Sequence, residues 1–256
     1  MSRVLISLRE CLASKGLGSS MHFQHSASIS CCEVSYIDDV AIPVLASASE
    51  LIQKTSETAA IAVDVFLCYA MQLNFASNKS EAVPLFRGAG ARTAKKLLHE
   101  ADSRIILQTR SNVSHALRFV GVYRHVGTKF SVDMTAEVSS RTAIMKTELR
   151  RLMKYVFRDP EIPASCKILI VKGYILSKGC YNAGTWSSMS AKLYAKFHSA
   201  VMSIYRNATG TFFVEANENT PPSDEEVIDS NNLMCPLTII RCARVSLLIR
   251  IIRKMP

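Results

Sequence analysis

The sequence predicts an α+β protein, mixed in strand and helix at first and nearly all helical from residue 136 onward. Three patterns carry that expectation. Val34, Tyr36, Val40, Ile42 and Val44 occupy alternate positions, the period of a half-buried strand, and Asp38-Asp39 interrupts them as a hairpin tip would. Arg104 to Thr109 and Ala116 to Tyr123 are further strand-like runs, with Gly127 as a turn. From Ala136 to Phe157, Met145, Leu149, Leu152 and Val156 fall on one face at 3.6-residue spacing.

The remaining elements follow in order. Residues 3–15 read as a short helix ended by Gly16 to Ser20, and residues 21–32 as polar and irregular. Ser47 and Glu50 have capping-box spacing, so a long helix is predicted from there to about Leu73. Pro84 and Gly88-Ala-Gly90 break the next stretch, and Thr93 to Glu100 is a short helix. Asp159-Pro160 stops the helix that begins at 136, and two more helices are predicted at about 164–181 and 190–206. Glu215 to Asp229 holds six acids and Pro221-Pro222, which predicts an exposed linker. The stretch from Arg241 to Pro256 has five basic residues and no acid.

The 256 residues are enough for one large domain or two small ones, and an apolar fraction of 48% excludes a disordered chain. Thirty-one Lys and Arg against 21 Asp and Glu leave a net charge of +10, which favours polyanionic partners. Eight scattered cysteines include no C-x-x-C pair, so neither a disulfide framework nor a zinc knuckle is indicated and a reducing, intracellular setting is expected. With no apolar stretch near the ~20 residues of a spanning helix, a soluble protein without a membrane partner is expected, in nucleus or cytoplasm.

Tyr36-Ile37-Asp38-Asp39 is the sharpest chemical feature. A tight turn can aim two consecutive carboxylates at one point, which suits the hard cations that phosphoryl and nucleotidyl transfer require. Its plainer reading is a solvated acidic turn. On the helix from 136, Lys146, Arg150, Lys154 and Arg158 form a stripe roughly opposite the apolar face. That stripe suits phosphate contacts without base readout, or is an ordinary solvated face.

Tyr36-Ile-Asp-Asp39 resembles the central palm motif of reverse transcriptases, and the motifs after it keep the family order. Met71-Gln-Leu-Asn-Phe-Ala-Ser-Asn-Lys79-Ser-Glu81 resembles the next palm motif of non-LTR retroelements, in which a Lys-Ser/Thr-Glu triplet begins a strand. Leu117-Arg-Phe-Val-Gly121-Val-Tyr123 resembles the primer-grip hairpin, and Tyr181-Asn-Ala-Gly184-Thr-Trp186 the Tyr-Gly-x-x-x-Trp pattern of retroelement thumbs. The resemblance covers about residues 30–210. It implies a partial polymerase palm of antiparallel hairpins with packed helices, followed by an all-α thumb. It also implies Asp38 and Asp39 as ligands of Mg²⁺ (or Mn²⁺), Lys79 at the leaving pyrophosphate, and Tyr36, Phe119 and Gly121 at the primer. Lys146, Arg150, Lys154 and Arg158 would then meet the RNA template/DNA primer duplex, with dNTP as the substrate of the intact enzyme. For Lys79 an exposed lysine at a strand edge is the plainer reading. Gly121 has a rationale of its own in a tight hairpin or close backbone approach, and Trp186 reads as packing.

The family site needs a third carboxylate from an upstream palm strand, and residues 1–37 contain only Glu10 and Glu33 as acids. The Gly-rich palm motif and the fingers are absent as well. The opening, Leu5-Ile-Ser-Leu-Arg-Glu-Cys-Leu12, resembles the helix that follows that motif, so the expectation is a protein entered partway, missing the N-terminal half of its domain. The expected organisation is a remnant helix and irregular segment at 1–32, a partial palm at 33–132, and a helical thumb-like region at 133–212. An acidic linker at 213–232 and a basic helix or tail at 233–256 complete it. No polymerase activity is expected from this chain alone. Two further readings stay open, a nucleic-acid-binding remnant without chemistry and an unrelated structural α/β protein.

Overall fold

Helix α1 (Ser2–Ser14) closes as its glycine dictates: Gly16 takes the left-handed conformation, and the Leu17 amide bonds back to the Leu12 carbonyl. The computed structural model describes residues 2–17, 19–22, 28–31, 34–36, 39–110, 114–125, 127–131, 133–211 and 221–254. Of these, Ser2, Ser20–His22, Ser28–Cys31, Val34–Tyr36, Asp39 and Lys254 are described by backbone alone. The chain divides into two units, Met1–Val132 and Asp133–Pro256, and it is mixed α+β as the sequence predicts.

The first unit is built on α2 (Leu51–Cys68). Two hairpins precede it: β1 (Ser19–His22) with β2 (Ser28–Cys31), and β3 (Val34–Tyr36) with β4 (Asp39–Ala41). The predicted capping box at Ser47 does not form. The Ser47 hydroxyl donates to the Glu50 carboxylate instead of capping a backbone N–H, and the helix starts at Leu51. Its end also comes earlier than Leu73. Ala70 adopts a left-handed conformation, and Met71 N–H reaches the Phe66 carbonyl while Ala70 N–H reaches that of Leu67, a Schellman closure.

After α2 come β5 (Glu81–Ala82), α3 (Ala91–Glu100), β6 (Arg104–Leu107) and β7 (His115–Phe119). Strand β7 is central, parallel to β5 (Ala82 opposite Phe119) and antiparallel to β6 (Ile105 opposite Leu117). The run predicted as one strand from Ala116 to Tyr123 is broken at Val120-Gly121. Its second part is β8 (Val122–His125), which pairs with β9 (Thr128–Ser131) across Gly127. Two apolar clusters lie against α2. One holds Val63, Phe86, Leu98, Leu107, Leu117 and Phe119, and the other Val4, Leu8, Leu12, Ala62, Val65 and Phe66, with Val40 and Ile42 beside it.

The second unit is all helical among its described residues. Helix α4 (Thr135–Leu152) runs into a π turn, Met153–Phe157, closed by the bond from Arg158 N–H to the Met153 carbonyl. The Lys167 ammonium donates to the carbonyls of Phe157 and Asp159 (3.2 and 2.8 Å), satisfying acceptors that a helix end leaves open. Helices α5 (Ala164–Ile170) and α6 (Leu176–Gly179) are joined by a second π turn, Val171–Ile175. Ser190 caps α7 (Ala191–Thr209) through the Leu193 N–H, and left-handed Gly210 ends it.

The predicted acidic linker is corrected from residue 223 on; residues 212–220 lie outside the described ones. Ser223 and Glu226 form a reciprocal capping box at the start of α8 (Asp224–Ser230), and the acids of its first turn complement the helix dipole. Val227 is buried in the helical core, and Asp224 pairs with Arg206 at 2.8 Å. Acidity in this stretch is a helix-start signal. The basic C-terminal stretch is α9 (Pro236–Lys254), whose Ile240 is buried in the core.

Two glycines set the helix spacing. A Cβ on Gly179 would stand 2.2 Å from Met145 Cγ and Sδ, and one on Gly184 2.8 Å from the Ala243 carbonyl oxygen. The single tryptophan, Trp186, is buried edge-on against Phe197, as packing rather than as an exposed platform.

Candidate nucleic-acid interface

In the first unit the backbone register pairs Tyr36 with Asp39. Asp39 is thus the first residue of a strand. Asp38 lies outside the described residues. Among the described residues no three His, Cys, Asp or Glu side chains form a group that could hold a metal ion. The carboxylate of Asp64 on α2 accepts the Arg110 N–H at 3.1 Å, a structural use. The side chains of Asp38 and Asp39, the two carboxylates that would hold Mg²⁺ or Mn²⁺, lie outside the described residues.

Lys79 is exposed in the turn before β5. Glu81 fixes that turn: its nearly buried carboxylate accepts the Asn78 N–H at 3.0 Å and sits 3.5 Å from the Arg118 guanidinium. The Tyr123 hydroxyl donates to the Lys79 carbonyl, which ties β8 to the same turn. The structure thus brings the Lys79 turn and the strands around Gly121 together. Val40 of β4 and the following Ile42 pack with the α1 cluster, and Ala82 and Phe119 with the other, Leu73 touching both.

Phe119 and Gly121 depart from their sequence reading. Phe119 is buried beside Leu107 and Leu117, so its side chain supports the sheet from within rather than facing outward. Gly121 joins strands of two different sheets. Its φ is not in the left-handed region and a Cβ there would meet nothing within 4 Å, so neither a tight hairpin nor a close approach within the chain requires glycine.

In the second unit Lys146, Arg150, Lys154 and Arg158 are all exposed, while Met145 and Leu149 are buried and Leu152 and Val156 half-buried. The helix is held to the unit by charges that sequence reasoning missed. Glu137 and Arg141, one turn apart, form a buried pair at 2.7 Å. The Arg141 guanidinium also lies 4.8 Å from the Tyr181 ring centre, joining α4 to the Tyr181–Trp186 segment. A buried pair one turn apart has the same spacing as an exposed one, and only the neighbouring apolar residues, Val138 and Met145, signalled burial.

Glu148 is the other anchor. Its carboxylate receives Lys178 Nζ at 3.1 Å and Tyr174 OH at 3.0 Å, with Arg151 at 3.6 Å. The Lys178 hydrogen bond, ahead of that from Tyr174 and the charges of Lys178 and Arg151, holds Glu148 below the usual carboxylate range although burial opposes it. A carboxylate whose pKa is lower folded than unfolded contributes stability above its unfolded pKa and loses it as pH falls through the folded one. Glu148→Gln is therefore expected to lower the melting temperature at pH 7 by a few degrees. The gap should close on acidification below the usual carboxylate range. Thermal melts stepped downward from pH 7 check this, and a gap that does not narrow with acidification contradicts it.

No protein-family model, curated protein or solved structure matches the chain. Among the described residues no helix is long and apolar enough to cross a membrane.

Proposed function

We propose that this chain is the later palm and the thumb of a non-LTR retroelement reverse transcriptase, and that alone it holds nucleic acid without polymerising. The exposed cationic row Lys146, Arg150, Lys154 and Arg158 on a buried-faced helix carries the binding part. Four positive charges on one face attract a phosphate backbone through counterion release and read no sequence. The antiparallel register Tyr36 opposite Asp39, followed by α2, supports the descent from a palm, together with the order of the four motifs. In the intact family enzyme the partner is an RNA template/DNA primer duplex, with dNTP and Mg²⁺ or Mn²⁺; for this chain alone the reading is nucleic-acid binding through the phosphate backbone.

Primer extension on an RNA template with Mg²⁺ or Mn²⁺ is expected to give no product. Binding of the same template–primer is expected to survive both EDTA and Asp39→Asn. Product that disappears on Asp38→Ala would overturn the inactive reading, and binding abolished by EDTA would overturn the metal-independent one.

A further inference from the structure

The π turn at the end of α4 changes what its surface can hold. In a pure α-helix a row at i, i+4, i+8 and i+12 drifts by about 40° per step, so Arg158 would stand about 120° around from Lys146. The π turn over Met153–Phe157 takes up about one extra residue and sets the rotation back, so Lys146, Arg150, Lys154 and Arg158 fall within an arc of about 45°. The row covers 12 residue steps, somewhat under about 18 Å along the axis once the π turn's extra residue is absorbed, which is the length of a few nucleotides of one strand.

The same turn carries Tyr155. Its side chain is 71% exposed, the most of any large apolar or aromatic residue of the chain's described part. Lys154 Nζ lies 5.5 Å from its ring centre, so the aromatic face and the cationic row adjoin. The turn that aligns the charges also brings Tyr155 back toward the side of Arg151, itself 70% exposed. Of the other exposed tyrosines in this unit, Tyr174 is committed to Glu148 and Lys178, and Tyr181 to Arg141. Tyr155 has no such commitment beyond its neighbouring lysine.

A duplex buries its base faces in its own stack and can offer this ring only backbone. An unpaired strand offers both parts, phosphates for the row and a base face for the ring. We propose that α4 and its π turn form a binding surface for an unpaired nucleic-acid strand, its phosphates along Lys146, Arg150, Lys154 and Arg158 and one base stacked on Tyr155. The inference rests on the nucleic-acid-binding reading given above and adds the strand state of the ligand. Stacking of this kind tolerates any base, because every base has a π-face.

The test compares the full chain with Tyr155→Ala and Tyr155→Phe by fluorescence anisotropy. The probes are a single-stranded oligonucleotide, the same strand with abasic sites, and a blunt duplex of equal length. The wild type is expected to prefer the single strand. Tyr155→Ala is expected to lose about tenfold on it and to change little on the abasic strand or the duplex, while Tyr155→Phe keeps the affinity. Equal affinity of wild type and Tyr155→Ala for the single strand would overturn the stacking inference and leave backbone binding standing. If the wild type binds none of the three probes, the nucleic-acid reading falls with it. An exposed side chain can be removed without loss of fold, and unchanged melts of both variants verify that.

Discussion

Replacing Lys146, Arg150, Lys154 and Arg158 together by glutamine is expected to weaken nucleic-acid binding roughly a hundredfold near physiological salt. The salt dependence should change with it. Each phosphate contact on a single strand contributes about 0.7 to the slope of log K against log salt, so removing four lowers the slope by about three. Glutamine keeps the stem and hydrogen-bonding capacity, so the loss reports charge. These four side chains are exposed and lie outside the anchoring contacts of Glu137–Arg141 and Glu148–Lys178, so the fold is expected to survive. The control is Arg92, Lys95 and Lys96 of α3, also exposed. Their replacement lowers the net charge by three and is expected to leave most of the slope intact. A slope unchanged by the four substitutions, or changed as much by the control, would mean that this face is merely solvated.

Gly179→Ala is expected to damage the helical unit more than its chemistry suggests. A methyl group at an exposed helical glycine normally gains about 1 kcal/mol of helix propensity. Here it would enter the space of Met145, with Cβ 2.2 Å from both Cγ and Sδ, and Met145 is wholly buried, so its side chain must shift within the core. Overpacking of a filled core costs about 1–3 kcal/mol, and contact near the root of a side chain belongs at the upper end, so the steric cost wins. A fall in melting temperature of about 10 °C is the expected reading for a unit of this size. Trp186 is the only tryptophan and is buried in this unit, so its fluorescence follows the unfolding directly. In Met145→Ala/Gly179→Ala each change relieves the other, one making room and the other filling it. The double variant should be clearly more stable than the sum of the single losses predicts. Strict additivity would show that the close approach does not govern the crossing of α4 and α6.

Much of the fold was legible where two independent signals coincided. Gly16 and the apolar residues before it gave the end of α1, and the apolar side Leu193, Phe197, Val201 and Ile204 gave α7, whose Ser190 cap is seen only in the structure. Where one signal stood alone, local chemistry decided. Ser47 and Glu50 have the spacing of a capping box, but their side chains bond each other and the helix starts after them. The acids near 224 were read by composition, which hides the Ser223–Glu226 cap and the single apolar residue, Val227, that docks the helix. The candidate site divided the same way. The cationic row was visible because four basic residues share a spacing, whereas Tyr155 was invisible because a fixed 100° per residue turns it away from the row. Phe119 fits its motif as a letter and yet lies in the core, since a motif records a residue type and not which side of a sheet it faces.

The π turn also bears on descent. An extra residue absorbed inside a helix leaves both ends attached as before, so the insertion need not appear in any loop. Where a related helix lacks that residue, an alignment with this chain would place the gap within Met153–Phe157, in the middle of a continuous helix, where gap penalties are usually harshest. A second such place is Val171–Ile175. A relative lacking the extra residue would carry its last two cations on a different meridian of the helix.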